Sequence, residues 1–397
     1  MRRFYFLVAV LCTLGTTTLF SQTDEVPADS IQLSFKPYGS FRGHFAFYNE
    51  EVEMQENGSR IGFELGVKSG KTRFYAGSEL QLNMFKGGVS FNADANTSGG
   101  FLVAEAPQDQ QVFATRLGYL GVDLNKWGNV SVGKQWGVYY DVTSYTDKFN
   151  VFGGQASATY VGKTDGGALG TGRADQALIY RNKLGPVSVG AQVQARTGVN
   201  GHFLDGFGIS AQMNILKELK VGAAYNQAYL NDNLVNTGAV LGLTAQPSYI
   251  TAGASYTGKK LELGAVFATQ TNGDVSQGFA DVPGQGIVTP TVVYDAIGFE
   301  LYGKYKIDKI SLIGGYNLYN PDTEDISLPT GEKPISEDYK REYIVLGVEY
   351  RPVPTAYFYS EFRISSGKTA LGLDELDVLT MGLRIDVDRL VTKTIKR

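Results

Sequence analysis

Along most of the chain apolar and polar residues alternate one for one, the period of a strand whose two faces meet different surroundings. Between Ile31 and Tyr48, Phe41, Phe45 and Phe47 fall on one face and Ser40, Arg42 and His44 on the other. Ile61, Phe63, Leu65 and Val67 then oppose Arg60, Glu64 and Lys68; past a turn at Ser69-Gly70-Lys71, Phe74, Ala76, Leu80, Leu82 and Met84 oppose Arg73, Glu79, Gln81 and Asn83. The split recurs where Val187, Val189, Ala191 and Val193 face away from Gln192, Gln194 and Arg196. It is sharp again near the end, where Leu379, Met381, Leu383, Ile385 and Val387 oppose Thr380, Arg384 and Asp386.

Alternation alone fits a soluble sandwich as well as a membrane barrel, so the connections must decide. Short ones, near Ser69, Asn125, Lys183, Lys217, Lys259, Asp308 and Pro352, alternate with long ones. The long ones run from Asn49 to Gly58, Lys86 to Val112, Asp141 to Gly172, Leu230 to Gln246, Asn272 to Thr291 and Pro321 to Arg341. Short turns on one side and long loops on the other, with an even strand number, mark bacterial outer-membrane barrels. The pattern predicts an all-β, antiparallel transmembrane barrel of about sixteen strands. Tyr139, Tyr140, Tyr316, Tyr319, Tyr357, Phe358 and Tyr359 cluster beside turns and are expected in interfacial girdles. The stretch from Thr115 to Gly154 is the exception to regular spacing: a hairpin turning at Asn125–Asn129 releases a long polar, glycine-ended segment. That third long loop, about 141–172, is expected to fold into the barrel and narrow it.

Composition agrees with many short strands: the chain has 49 Gly, 24 Tyr and 22 Phe. Its start, MRRFYFLVAVLCTLGTTTLFSQ, joins two arginines to an apolar run and a polar exit, predicting a cleaved signal peptide over 1–22 and a barrel domain over 23–397. The single cysteine, Cys12, falls in the discarded part, so the mature barrel is expected to hold together without disulfides. A net charge of -4 is far from the concentrated basic face that nucleic acid requires. With only His44 and His202, no metal-ligand spacing and no nucleophile motif, neither a cofactor, a metal nor a catalytic group is predicted. A barrel enzyme using His44 is the rival from another class, and a substrate-specific channel the closer one.

TRLGYLGVDL, the turn, VGKQWGVYYDVTSYTDKFNVFGG and the later GRADQALIYRN resemble, in order and spacing, the general diffusion porins of Gram-negative bacteria over about Thr115 to Asn182. The resemblance implies a homotrimer in outer-membrane lipid, passing small polar solutes and ions. It also implies an eyelet in which wall arginines face loop carboxylates across water, a transverse field that disfavours apolar solutes. Carried over by position, Arg60, Arg116 and Arg173 form the ladder, Lys134 adds a basic position, Arg42 replaces a first-strand lysine, and Asp147 is the loop acid. Phe152, Gly153 and Gly154 would fix the loop tip to the wall. The loop departs from the family at Val151, where a glutamate is usual, and Lys148 adds positive charge, so cation preference is expected to be weaker than the family norm. The chain ends in Val391–Arg397 rather than at the family's terminal aromatic, and the final strand is expected at Leu379–Val387.

Overall fold

The computed structural model describes residues 30–85, 91, 113–196, 201–236 and 240–396. The expected signal peptide and nearly all of the loop from Lys86 to Val112 lie outside these residues. Eighteen strand segments form one antiparallel sheet. Its first strand, Ser30–Tyr48, pairs on one side with Glu51–Glu56 and Arg60–Ser69, and on the other with Val378–Asp388 and Val391–Lys396. Each of these two pairs of segments is a single interrupted strand, so the sheet closes on itself as a sixteen-stranded barrel. Closure leaves no unpaired edge, which is the condition for crossing lipid with strands.

The alternation maps onto the wall as its chemistry demands. Phe41, Phe45, Phe63, Leu65, Leu346 and Leu383 point outward and are exposed, whereas Ser40, His44, Glu79, Gln192 and Thr380 point inward and are buried. The first connection is not a long loop, however. Asn49 and Glu50 both take positive φ, 47° and 61°, and close a two-residue hairpin of the kind whose twist matches its strands. The polar run that follows is strand Glu51–Glu56, and the chain then breaks at Asn57–Ser59, where the Glu56 carboxylate accepts the N–H groups of Asn57 and Ser59. Residues 391–396, expected to lie beyond the final strand, continue it against Ser30–Phe35.

The girdle expectation also needs correction. Tyr139, Tyr319, Tyr357 and Tyr359 are buried inside the barrel, while Phe358 points outward. Tyr319, Tyr357 and Tyr359 sit near strand ends like girdle residues but on the inner wall, and Tyr139 belongs to the segment that leaves the wall after Trp136. A charge on the outer face should be poorly tolerated: Leu346→Arg, near the middle of strand Arg341–Val353, is expected to cost about 2–4 kcal/mol, read from denaturant unfolding of the refolded protein in lipid.

Candidate functional site: the loop inside the barrel

Between strands Asn129–Trp136 and Arg173–Leu184 the chain leaves the wall, makes one helical turn at Tyr140–Thr143, and runs along the inner face of the barrel before returning. Apolar side chains fix its course. Tyr139, Val142, Tyr145, Val161 and Leu169 pack on inward residues of strands Leu219–Ala228, Ser248–Thr257, Leu261–Gln277 and Thr291–Ile307, among them Ala224, Tyr249, Val266 and Val293. Val151 and Phe152 pack on Tyr343, Val345, Tyr357 and Tyr359, and Ala156 on Val292, Tyr294 and Tyr319. The inward tyrosines are therefore the bed on which the loop lies. Where the loop's backbone or rings approach most closely, the wall carries Gly264, Gly298 and Gly315. A Cβ there would overlap the Tyr145 carbonyl, the Ala156 carbonyl and the Phe149 ring respectively.

Three wall carboxylates hold the loop's backbone at six-residue intervals. Glu361 accepts the N–H groups of Asn150 and Val151 at 2.6 and 2.9 Å. Glu300 accepts those of Ala156 and Ser157 at 2.8 and 2.9 Å and the Thr146 hydroxyl. Asp274 accepts the N–H of Gly162 at 2.7 Å and the Tyr319 hydroxyl at 2.6 Å. N–H groups inside a barrel have few other partners. Sequence reasoning did not single out these three acids. They are visible only as lone carboxylates on apolar strand faces, and their partners lie 112 to 211 residues away.

The residues expected at the eyelet lie in different settings on the inner wall and at the loop, with Arg60 and Arg116 meeting at Glu79. Arg42 is half-buried on the inner face, its Nε donating to Ser40 at 2.7 Å. It lies directly across the barrel seam from Arg384, which the sequence analysis had not singled out. Arg384 donates to Asp386 at 2.9 Å, and Arg351 and Arg384 lie over the Tyr357 ring at 3.7 and 5.7 Å. Arg60 keeps 14% exposure and lies 3.8 Å from Glu79. Arg116 is wholly buried, donating to Glu79 at 2.7 Å and Gln81 at 3.1 Å. Glu79 therefore sits between two arginines.

Arg173 and Lys134 instead belong to the base of the loop. The Arg173 side chain has no exposure: it lies 3.6 Å from Asp165 and under the rings of Trp136 and Tyr160 at 5.1 and 5.9 Å. Lys134 is held by Asp165 and Asp175 at 2.5 and 2.7 Å. Burial alone would raise the Asp165 carboxyl, but Arg173 and Lys134 hold it below the ordinary value of 3.8. Spacing along the sequence had aligned these cations with a ladder; the loop folds over them and withdraws Arg173 from the water.

Asp147 accepts the hydroxyls of Tyr140 and Tyr160, each at 2.9 Å. Gly153 and Gly154 make this possible: a Cβ on Gly153 would lie 2.9 Å from the Asp147 Oδ1, and Gly154 has φ +69° with the Tyr160 ring beside it. Phe152 is fully buried, with the Arg363 guanidinium 5.5 Å over its ring. Val151, expected to thin the negative wall of the eyelet, is 1% exposed and turned into the barrel wall, so its own side chain does not face the channel. His44 Nε2 lies 3.2 Å from the Gln55 amide oxygen, and His202 Nε2 lies 3.0 Å from Asp232. Neither of these contacts pairs a histidine with a serine nucleophile.

A closed sixteen-stranded barrel with a long loop lying along its inner wall defines a porin-type outer-membrane protein. The sequence matches the Gram-negative porin family over residues 9–369, and the chain belongs to that family. It is 26% identical over 260 residues to outer membrane protein S2 of Salmonella typhi, covering 59% of this chain and 62% of that protein. It is 30% identical over 168 residues to outer membrane protein F of Serratia marcescens, covering 40% and 43%. The chain thus spans less than two thirds of the curated relatives it matches. Among solved structures, Salmonella typhi OmpF in complex with daunomycin superposes with a TM-score of 0.64 at 18% identity, covering 91% of this chain and all of that one. OmpT of Vibrio cholerae gives 0.59 at 16% identity, covering 92% and 100%.

Two tests follow from the geometry. Glu361→Ala is expected to remove about 3 kcal/mol of local stability at residues 149–152, read by amide hydrogen exchange, and to add open-channel current noise. Asp165 has a depressed pKa, so its contribution is complete above the ordinary carboxylate range and disappears as pH falls through the lowered value. The loss of loop protection in Asp165→Asn, measured against the parent by hydrogen exchange, should therefore be full at neutral pH and shrink at pH values below 3.8.

Proposed function

We propose that the protein is a general diffusion porin: a water-filled outer-membrane channel through which small hydrophilic solutes and ions pass without a chemical step. The observation that carries this reading is the loop held inside a closed barrel whose remaining inner wall bears water-facing charge. A barrel meant to be plugged would have no use for such a wall. The passage lies between the loop, with Asp147 on it, and the wall cations Arg42, Arg60, Arg351 and Arg384. Arg116 acts from behind through Glu79, and Lys134 and Arg173 serve the loop base. Arginine suits the wall because it stays charged whatever its neighbours.

Asp147 is tied by two tyrosine hydroxyls, and the wall cations flank it from several strands. The channel therefore has weak selectivity with less cation preference than an eyelet rich in loop carboxylates. Its working form is a homotrimer; a solved Vibrio cholerae OmpT, similar in fold, is described as a trimer form. The outward apolar patch of Phe41, Phe45, Met381, Leu383 and Ile385 on the first and last strands suits burial between copies or in lipid.

In liposome swelling the protein should admit neutral sugars at rates that fall with size and do not saturate. In planar bilayers under a salt gradient it should give a small reversal potential, which Arg42→Gln with Arg384→Gln moves toward cations. Saturating sugar flux or strong cation selectivity in the parent protein would contradict the reading.

A further inference from the structure

On the short-turn side of the loop four lysines converge from three elements. Lys148 comes from the loop itself, lying 5.7 Å over the Tyr302 ring. Lys304 and Lys306 follow Tyr302 on the same inward face of strand Thr291–Ile307. Lys220 begins the inward face of strand Leu219–Ala228 and lies 5.9 Å over the Tyr145 ring, three residues before Lys148. All three wall lysines are next to short turns, so the group opens toward that mouth of the barrel.

Their counter-charges are incomplete. Lys304 binds Glu349 at 2.6 Å and Lys306 binds Glu262 at 2.5 Å, while Lys148 and Lys220 make no ion pair among the described residues. Burial lowers the pKa of the Lys148 ammonium; Glu262 pulls it back up, and Lys220, Lys306 and Lys304 press it down again, with lowering the net result. Like charges held this close by a rigid wall and a tethered loop repel one another, and a mobile anion with several oxygens relieves that repulsion at several ammoniums together. A monovalent ion meets only one or two of them, so the arrangement discriminates by ligand charge.

We infer that Lys148, Lys220, Lys304 and Lys306 form a binding subsite for multivalent oxyanions, of the polyphosphate or polycarboxylate type, at the short-turn entrance beneath the loop. The inference rests on the porin reading and adds a resting place for one solute class within that passage. Occupancy there obstructs the channel, so binding is visible as block. The ammoniums lie on one side of the loop, and an anion from the other side must first pass the constriction. Block is therefore sided.

Single channels of the refolded full-length protein in a planar bilayer, bathed in potassium chloride, test this with inorganic tripolyphosphate added first to one chamber and then to the other. Tripolyphosphate is expected to produce brief closures at a concentration about tenfold lower from one side than from the other. Lys148→Gln with Lys220→Gln should raise the half-blocking concentration from the sensitive side by about tenfold. Lys148→Arg should retain the block, and Lys333→Gln, on an exposed external loop, should leave it unchanged. Equal block from both sides, or a Lys148→Gln, Lys220→Gln channel blocked like its parent, would overturn the subsite. Absence of any conductance in potassium chloride alone would instead overturn the porin reading. If the double variant does not fold, Lys148→Gln compared with Lys148→Arg decides the same question.

Discussion

The structure depends on a match between inward carboxylates on the wall and the amides of the loop. A segment that leaves a sheet gives up its ladder hydrogen bonds, and inside a barrel those groups must be satisfied by the wall or by water. Glu361, Glu300 and Asp274 meet the N–H groups of residues 150–151, 156–157 and 162. Glu361 and Glu300 are satisfied chiefly by the loop, and Asp274 by the loop together with Tyr319 of the wall. Either partner alone would leave a buried polar group costing roughly 1–3 kcal/mol or more. This reciprocity keeps a segment of more than thirty residues against the wall without a disulfide or a metal among the described residues.

The rest of the interior follows from that arrangement. Tyrosines, rather than phenylalanines alone, line the bed because a ring covers apolar loop residues while its hydroxyl reaches a polar partner. Tyr343 donates to the Phe152 carbonyl at 3.2 Å, and Tyr357 to the Asn150 side chain at 2.9 Å. Glycines appear in the wall where the loop passes closest. Where the loop does not cover the wall, inward charged side chains keep part of their exposure: Arg60 14%, Arg351 36% and Arg384 26%.

Much of this was legible in the sequence. The face splitting of Phe41, Phe63 and Leu383 and the alternation of turn lengths led to an even-stranded barrel, because those patterns depend only on a chain's nearest neighbours and on lipid. The double glycine at 153–154, expected at the loop's tip, lies in the middle of the inward segment beside Asp147 and Tyr160. The pairings between distant segments were not legible. A carboxylate such as Glu300 reads the same whether it faces water or caps a loop some 144 residues away. Tyr139 and Tyr357 read as girdle residues because strand ends are enriched in aromatics for either purpose. Arg173 was expected to face the water and Val151 to stand on the loop's charged edge, yet both are buried, since position along the chain does not show what later lies over a residue. The polar run after Tyr48 read as a loop because only Val52 and Met54 alternate with its four Glu and Gln residues, too short a pattern to mark a strand.

The most direct measurement of the central claim, a loop held in the channel with its tip against the wall, is thiol accessibility within the conducting pore. Lys148→Cys and Val151→Cys, each introduced singly, would be exposed to a small charged thiol reagent while current is recorded. The account predicts that the substituted position 148 reacts and steps the conductance down, while position 151, 1% exposed against the wall, remains unmodified. Reaction at 151 as fast as at 148 would mean that the loop does not lie where the carboxylates would hold it.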